Sequence, residues 1–428
     1  MRHMITSTLS LLLLSTSLYA SPPSIPKAAP GVPTRPQLAT TNNPLDAIAY
    51  GSPDLSFRPR YEHAEQDNPL RPANAFTMRT LLGLQTQQYR YFDAYAQLSN
   101  VSALDNSYNS LRNHHLRYVI IADPTHTDVN QAYLGFSGVP LTYFKIGRQL
   151  ISLDNQRFVG PVMFRQNTQN FDAASVMNQS IPHLTAFMAY LNRIDTVARV
   201  PVQANDFLFN AKYDALHYMT IVPYAYLLEH HGPIITPLES TNTYGLRLTG
   251  NVPYQKLIFS YTGEYATQRA AANNPLHFSA FYYHLGAAIA LMPLSIGLDE
   301  ELLSGKNTHP QNLSFRTPLA TKHLFLGWAD MFLITPTEGI KDRYATISYS
   351  IPTTSFLLSN NTKLTTIYHD FKTQRAGHGF GHEWDFDLTK TINKAYSVSI
   401  TYADFATESF LFYPKTRKLW LTATATFS

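Results

Sequence analysis

The amino-acid sequence predicts an all-β protein, a closed antiparallel transmembrane β-barrel of eighteen strands, with sixteen as the lower count. Apolar and polar residues alternate in segments of about 10 residues, the length that crosses a membrane as a tilted strand. Beyond the first twenty residues, no apolar run reaches the roughly 18 residues of a membrane-spanning helix. The connections between the segments alternate between short and long, as they do in bacterial outer-membrane barrels.

The N-terminal region divides into two parts before the barrel. Residues 1–20 have a weakly basic start at Arg2, a short apolar core and a small-residue cleavage point, which predict a secretory signal peptide. The alternative is an N-terminal anchor helix. Residues 21–52 are rich in proline and poor in large apolar residues, so we expect a flexible periplasmic extension. The barrel is expected to occupy residues 53–428.

The spacing of the strand-like segments carries the barrel prediction. Tight links follow the even-numbered segments, and longer polar stretches follow the odd-numbered ones, the longest being 100–128, 151–170 and 304–342. The link at 352–362 after the fourteenth segment is an exception, because it is no shorter than the next one. A soluble β-sandwich or propeller is the alternative, but it would not produce so regular an alternation.

Charged residues recur on one face of these strands, and a charge that faces lipid at the membrane midplane costs roughly 2–4 kcal/mol for Lys or Arg. We therefore expect the charged faces to line a polar, hydrated lumen. The pore-lining and selectivity candidates on the strands are Lys145, Arg58, Arg60, Arg79, Arg247, Asp93, Glu264, Asp299, Glu301, Asp385 and Asp387, with Glu62 beside them.

Three further arginines, Arg148, Arg157 and Arg165, lie close together in the segment 145–173. Guanidinium groups bind carboxylates in a bidentate manner and stay charged at physiological pH. An inward-folded loop that carried them would form a positive constriction. Alternatively, they pair with Asp154 and Asp172 and only hold the loop in shape.

The segments 147–160 (GRQLISLDNQRFVG) and 164–173 (FRQNTQNFDA) resemble the signature of the alginate-export family of outer-membrane β-barrels, in its porin-like branch. Further matching segments occur in the same order, at 100–110, 123–136, 243–248, 264–268, 317–342, 368–371 and 418–421. The resemblance implies a monomeric barrel of eighteen strands in a Gram-negative outer membrane. In the family's exporter, arginines of the pore attract an anionic polyuronate, and by resemblance Arg148, Arg157 and Arg165 could serve that role here. The resemblance does not identify the solute.

No pattern in the sequence predicts catalysis, a cofactor or a metal site. The acid and histidine pairs His369-Asp370 and His230-His231, and the run at 299–301, sit in no hydrolase motif, and adjacent strand residues point to opposite faces. His378 and His382 are four residues apart, but the glycines between them favour an exposed loop over a helix. The net charge of +4 does not indicate a nucleic-acid partner.

These observations predict a channel for passive diffusion of hydrophilic solutes, with an anionic sugar or polysaccharide as the expected class. The expected partners are outer-membrane lipid and the solute. The alternative is a surface structural or adhesion barrel whose loops bind a partner without conductance. The segment 320–342 is unusually apolar for an extracellular loop, so it is expected to pack inside the barrel mouth and narrow the pore.

Overall fold

Eighteen antiparallel strands pair in chain order in the computed structural model, which describes residues 36–232, 236–306, 311–351, 361–375, 377–408 and 413–427. Strand β1 pairs with β18, from Leu55 opposite Phe427 to Gln66 opposite Thr416, so the sheet closes on itself. The predicted fold class and strand count are confirmed. The strands are β1 (Ser52–Gln66), β2 (Ala73–Gln85), β3 (Phe92–Ser107), β4 (His126–Phe136), β5 (Thr142–Gln149), β6 (Asn170–Asn178), β7 (Leu184–Asp195), β8 (Pro201–Leu216), β9 (Met219–Leu227), β10 (Thr241–Tyr254), β11 (Leu257–Ala270), β12 (Ser279–Leu291), β13 (Leu294–Ser304), β14 (Gly339–Ile351), β15 (Thr362–Thr373), β16 (Gly379–Thr391), β17 (Tyr396–Thr407) and β18 (Thr416–Phe427).

Several strands are longer than their apolar pattern predicted. Strand β3 continues to Ser107, and the connection to β4 shrinks from the predicted 100–128 to 108–125. The link between β7 and β8 is only 196–200, because both strands extend toward the outside. Polar residues continue the alternation at these ends, since backbone hydrogen bonding and not side-chain hydrophobicity holds a strand that rises above the membrane. The predicted exception at 352–362 falls almost entirely outside the described residues.

The alternation of side chains separates a lipid-facing surface from an interior. On β3, Asp93 and Gln97 point inward and are buried, whereas Phe92 and Leu98 point outward and are exposed. Outward aromatic residues lie near both ends of the strands, for example Trp384 toward the long loops and Tyr349 toward the short turns. Such aromatic girdles mark the two membrane interfaces of an outer-membrane barrel.

The stretch 40–51, which the sequence predicted as part of a flexible extension, instead docks on the periplasmic turn between β2 and β3. A short helix, α1 (Pro44–Ala49), is capped by Asn43, whose side chain accepts a hydrogen bond from the Leu45 amide at 3.0 Å. Residues Thr40–Thr41 pair in parallel with Gln88–Tyr89. The prediction missed the Asn-Pro start signal of this helix. The predicted signal peptide at 1–20 lies outside the described residues.

The other regular elements are short. A two-residue strand, His230–His231, pairs with β8, and two 3₁₀ turns span Thr236–Glu239 and Lys322–Leu324. Over the part of the chain that the structure describes, no helix is long and apolar enough to cross a membrane.

The interior differs from the predicted hydrated lumen. A continuous core of buried apolar side chains joins the inner wall to two inward-folded connections. The wall supplies residues such as Phe171, Tyr282 and Phe405, and the connections supply Phe158 and Trp328. Charged strand residues are therefore only part of the interior, and apolar side chains are buried beside them because the two connections enter the barrel.

Candidate functional site

Two connections fold into the barrel and contact each other. Inner loop 1 (residues 150–169) joins β5 to β6, and inner loop 2 (residues 305–338, described except 307–310) joins β13 to β14. The Gly160 amide donates to Leu319 O at 2.9 Å, and the Thr321 amide donates to Gln156 O at 3.1 Å. The Gln169 side chain donates to Gly160 O and Leu319 O at 3.0 Å each. The two loops therefore form one hydrogen-bonded unit across the interior.

Inner loop 1 is fixed to the far wall by Arg157. Its Nε lies 2.7 Å from Glu301 Oε1 on β13, and both side chains are almost fully buried. The guanidinium also stacks over the Phe325 ring at 4.7 Å and the Tyr282 ring at 5.6 Å. Burial lowers the pKa of Arg157, but Glu301 and Tyr282 together outweigh burial and raise the pKa above its ordinary value. Arg157 is thus charged and paired with Glu301, while its Nη2 has no hydrogen-bond partner among the described residues.

Arg165 anchors the same loop on the opposite side. Its Nη1 lies 3.1 and 3.2 Å from the two Glu62 oxygens on β1, and its Nη2 lies 2.8 Å from Asp330 of inner loop 2. Asp330 also accepts from Lys418 Nζ at 3.0 Å and contacts His323 Nδ1 at 2.8 Å. Burial acts to raise the pKa of Asp330, but these cations prevail and hold it well below its usual range. The network ties both loops to the wall at β1 and β18.

Arg148 does not join these two arginines. It shares a face of β5 with Phe144 and Ile146, both exposed to the outside, whereas Lys145 lies on the other face. Arg148 pairs with Asp172 at 2.7 Å and with Asp195 at 2.8 Å near the extracellular rim. The predicted pairing with Asp172 is present, and the expectation that Arg148 lines the pore is wrong, because a separation of three residues puts Lys145 and Arg148 on opposite faces.

Asp154 also has a different partner from the one expected. It accepts a hydrogen bond from Asn210 Nδ2 on β8 at 2.7 Å, and the described residues include no arginine within ion-pair distance of it. Burial raises the pKa of Asp154 to about 6, and the nearby Glu264 adds to the rise.

Three inward arginines of β1 and β2 form what we call the arginine triad: Arg58, Arg60 and Arg79. Arg58 and Arg79 are directly opposite each other in the strand register, and each triad side chain is at most 2% exposed. Like charges placed directly opposite are unfavourable unless other groups compensate.

The members of the triad differ in how well they are satisfied. Arg58 donates to Gln166 Oε1 at 2.9 Å and to Met163 O at 2.8 Å, both in inner loop 1. Arg60 stacks on the Phe164 ring at 4.5 Å and donates from Nε to Thr422 at 3.3 Å. Nη1 of Arg60 and both Nε and Nη1 of Arg79 have no hydrogen-bond partner among the described residues. Buried guanidinium donors without acceptors are rare and indicate a site that can accept an anion.

The remaining strand candidates point inward and are paired within the protein. Arg247 lies 2.5 Å from Glu264, and Asp299 lies 2.9 Å from His284. Lys145 sits 4.2 Å over the Tyr133 ring. Further carboxylates accept hydrogen bonds: Asp93 from the Tyr143 hydroxyl at 2.9 Å, Asp385 from the Trp328 amide at 3.2 Å, and Asp387 from the Thr401 hydroxyl at 2.9 Å.

Some residues of the interior network were absent from the predicted set. Glu383 accepts from the Ala329 amide at 2.7 Å and, with Asp385, holds the backbone of inner loop 2. Asp342 contacts His369 at 2.8 Å, and Lys418 binds Asp330. Strand alternation places Glu383 beside Asp385 and Lys418 beside Trp420, so the same signal could have found both. The position of Asp330 in a loop carried no such signal.

Comparison with known proteins gives the family. The model of the alginate export family matches residues 54–294, more than half of the chain. The chain belongs to the alginate export family. As a member with an eighteen-stranded barrel and an apolar outer band, it is an outer-membrane protein of a Gram-negative bacterium. No curated protein sequence matches it.

Solved structures of outer-membrane proteins share the fold of this alginate export family member at low sequence identity. OpdK of Pseudomonas aeruginosa, determined with vanillate, has 13% identity and a TM-score of 0.68, covering 89% of this chain and 99% of OpdK. OccAB3 of Acinetobacter baumannii has 11% identity and a TM-score of 0.69, covering 89% of this chain and 100% of OccAB3. OpdL of Pseudomonas aeruginosa has 14% identity and a TM-score of 0.65, covering 89% of this chain and 99% of OpdL. These likenesses establish the barrel architecture.

Proposed function

We propose that this protein is a monomeric channel for passive diffusion of hydrophilic anionic solutes, with carboxylated sugars or their polymers as the solute class. The arginine triad carries the proposal. Its unpartnered guanidinium donors lie inside the barrel, where a carboxylate that passes along β1 and β2 would accept hydrogen bonds from them.

The local charge supports an anionic solute. Arg58, Arg60, Arg79, Arg165 and Lys418 outnumber the carboxylates that lie among them, which are Glu62, Asp123 and Asp330. Vanillate, the compound named with OpdK, is also a carboxylate. Inner loop 1 covers the triad in this structure, so a solute reaches the triad only when that loop moves.

Ion selectivity of single channels in planar bilayers tests the proposal. In a salt gradient, the wild-type protein is expected to show a reversal potential that indicates anion preference. Substitution of the triad with glutamine, Arg58→Gln/Arg60→Gln/Arg79→Gln, should shift it toward cations. The matched control is Arg417→Gln, which removes an outward-facing, half-exposed arginine paired with Asp404 at 3.5 Å. An unchanged reversal potential in the triple variant contradicts the role of the triad.

A second candidate function is favoured by the tight packing of the two inner loops. A barrel whose interior holds a continuous apolar core could serve at the surface as a structural or adhesion protein that conducts nothing. The same bilayer experiment separates the two functions. Steady conductance supports the channel, and a folded, inserted but silent barrel supports the surface role.

A further inference from the structure

A groove runs along the outward face of the barrel, separate from the lumen, across β12 to β15. Its volume is about 660 Å³. The small side chains of Ala287 and Ala345 form the floor of the groove. The larger side chains of Leu285, Leu298 and Tyr368 form its sides. Leu285 and Leu298 are 59% and 65% exposed, which places them on the lipid-facing surface.

One end of the groove is charged. Arg343 Nε lies 2.5 Å from Glu300, which also accepts from the Tyr283 hydroxyl at 2.5 Å. On the neighbouring strand, Lys372 lies 2.8 Å from Asp370. The Arg343 side chain is 57% exposed, so its remaining guanidinium donors are available to a ligand.

The charged end lies toward the extracellular side. Arg343 is four residues from the outer end of β14 at Gly339 and eight from the inner end at Ile351. Lysine or arginine facing lipid costs roughly 2–4 kcal/mol at the midplane and falls to about 0–1 kcal/mol near the interfaces. The charges are therefore placed for the headgroup level of the outer leaflet, with the apolar groove below them.

The exposed guanidinium of Arg343 is the group at this end that an anion would contact. Lys341 shares the outward face of β14 with Arg343, because the two lie two positions apart and the strand has no register shift between them. Lys341, Arg343 and Lys372 lie among three carboxylates, Glu300, Asp370 and Glu408. Arg343 contacts Glu300 through Nε, which leaves the two terminal nitrogens of its exposed guanidinium to an anion.

We propose that the groove is a binding site for a phosphate-bearing lipid of the outer leaflet. An acyl chain lies over Ala287 and Ala345, and the phosphate accepts hydrogen bonds from Arg343 with Lys341 and Lys372 beside it. Guanidinium and phosphate form strong, charge-assisted bidentate contacts, and the apolar floor supplies the hydrophobic part of the binding. The site is independent of the proposed channel function, because it lies on the other side of the wall.

Lipid retention by the purified full-length protein tests this site. Native mass spectrometry would compare bis-phosphorylated lipid A, phosphatidylglycerol and diacylglycerol, which lacks phosphate. The wild type should retain lipid A at least about tenfold better than diacylglycerol, because one bidentate charge-assisted contact changes affinity by about that factor. Arg343→Gln should lose about that factor, and Ala345→Trp, which fills the groove, should lose retention of all three lipids.

Two matched variants control for general effects. Arg417→Gln removes another outward arginine near the extracellular end, and Ala96→Trp adds a large side chain on the outward face of β3, away from the groove. Both should retain lipid A as the wild type does, and heat-modifiable gel migration should show that all variants are folded. Equal retention of lipid A by all five proteins overturns the site. Equal binding of diacylglycerol and lipid A overturns phosphate recognition, and retention of phosphatidylglycerol without lipid A overturns the outer-leaflet assignment.

Discussion

Substitution of Arg165 with methionine is expected to release the two inner loops from the wall of the barrel. The change keeps a long apolar side chain but removes the cation that contacts Glu62 and Asp330. Asp330 keeps Lys418 and His323 as partners, whereas buried Glu62 loses its ion pair. Removing one member of a buried ion pair costs about 3–5 kcal/mol, because the other charge remains buried without compensation.

The same free energy sets the expected change in the loop equilibrium. If the whole cost falls on the loop-in state, 3–5 kcal/mol raises the population of the loop-out state by roughly a hundredfold to several thousandfold. The single-channel open probability of Arg165→Met should rise accordingly, and its unfolding temperature should fall. Arg193→Met is the matched control, since Arg193 is an outward, partly exposed arginine 2.9 Å from Asp195, and Asp195 keeps Arg148 at 2.8 Å as its partner.

A double variant gives the sharper check. Glu62→Gln/Arg165→Met removes both charges, so it should be less destabilised than Arg165→Met alone, as a double-mutant cycle would measure. Wild-type conductance and unfolding temperature in Arg165→Met would refute the idea that this ion pair holds the loops in place.

Three further outcomes are expected. Burial and Glu264 raise the pKa of Asp154 to about 6, so the free energy of unfolding should fall by up to about 3 kcal/mol as pH rises from 4 to 6. Thermal unfolding of Asp154→Asn should not show this dependence on pH. Asn43→Ala should remove the cap of α1 at a cost of about 1 kcal/mol, seen as faster proteolysis of residues 40–51 without change in the barrel. Gly327 has a φ of +81°, and a Cβ there would lie 2.5 Å from a Glu383 oxygen; Gly327→Ala should speed hydrogen exchange at the amides of residues 328 and 329, and unchanged exchange would contradict this.

The barrel itself could be predicted from sequence because its strands obey a local rule. Asp93 and Gln97 on one side of β3, and Phe92 and Leu98 on the other, show the inward and outward faces without any knowledge of neighbours. The same rule, applied to Arg148, would have placed it outside the lumen. Arg148, Arg157 and Arg165 are close together in the sequence, which suggested that they are close in space. Strand geometry instead places Arg148 on the outside of the barrel.

The ion pairs that hold the two inner loops in the barrel could not be predicted, since they join distant parts of the chain. Arg157 meets Glu301, and Arg165 meets Glu62 and Asp330, only because both inner loops enter the barrel. The apolar composition of inner loop 2 signalled burial, but no local pattern specifies which wall residue an inward loop reaches.

The pairing of β1 with β18 has a consequence for biogenesis. It joins Leu55 to Phe427, among the most distant residues along the barrel chain, and such long-range contacts carry the largest loop-closure entropy. Until the last strand is in place, β1 and β17 each present an open edge of unpaired backbone groups, which favours pairing with other chains. Quality control of assembly is thus expected to act on this final strand, and a chain truncated before Thr416 should accumulate as aggregates.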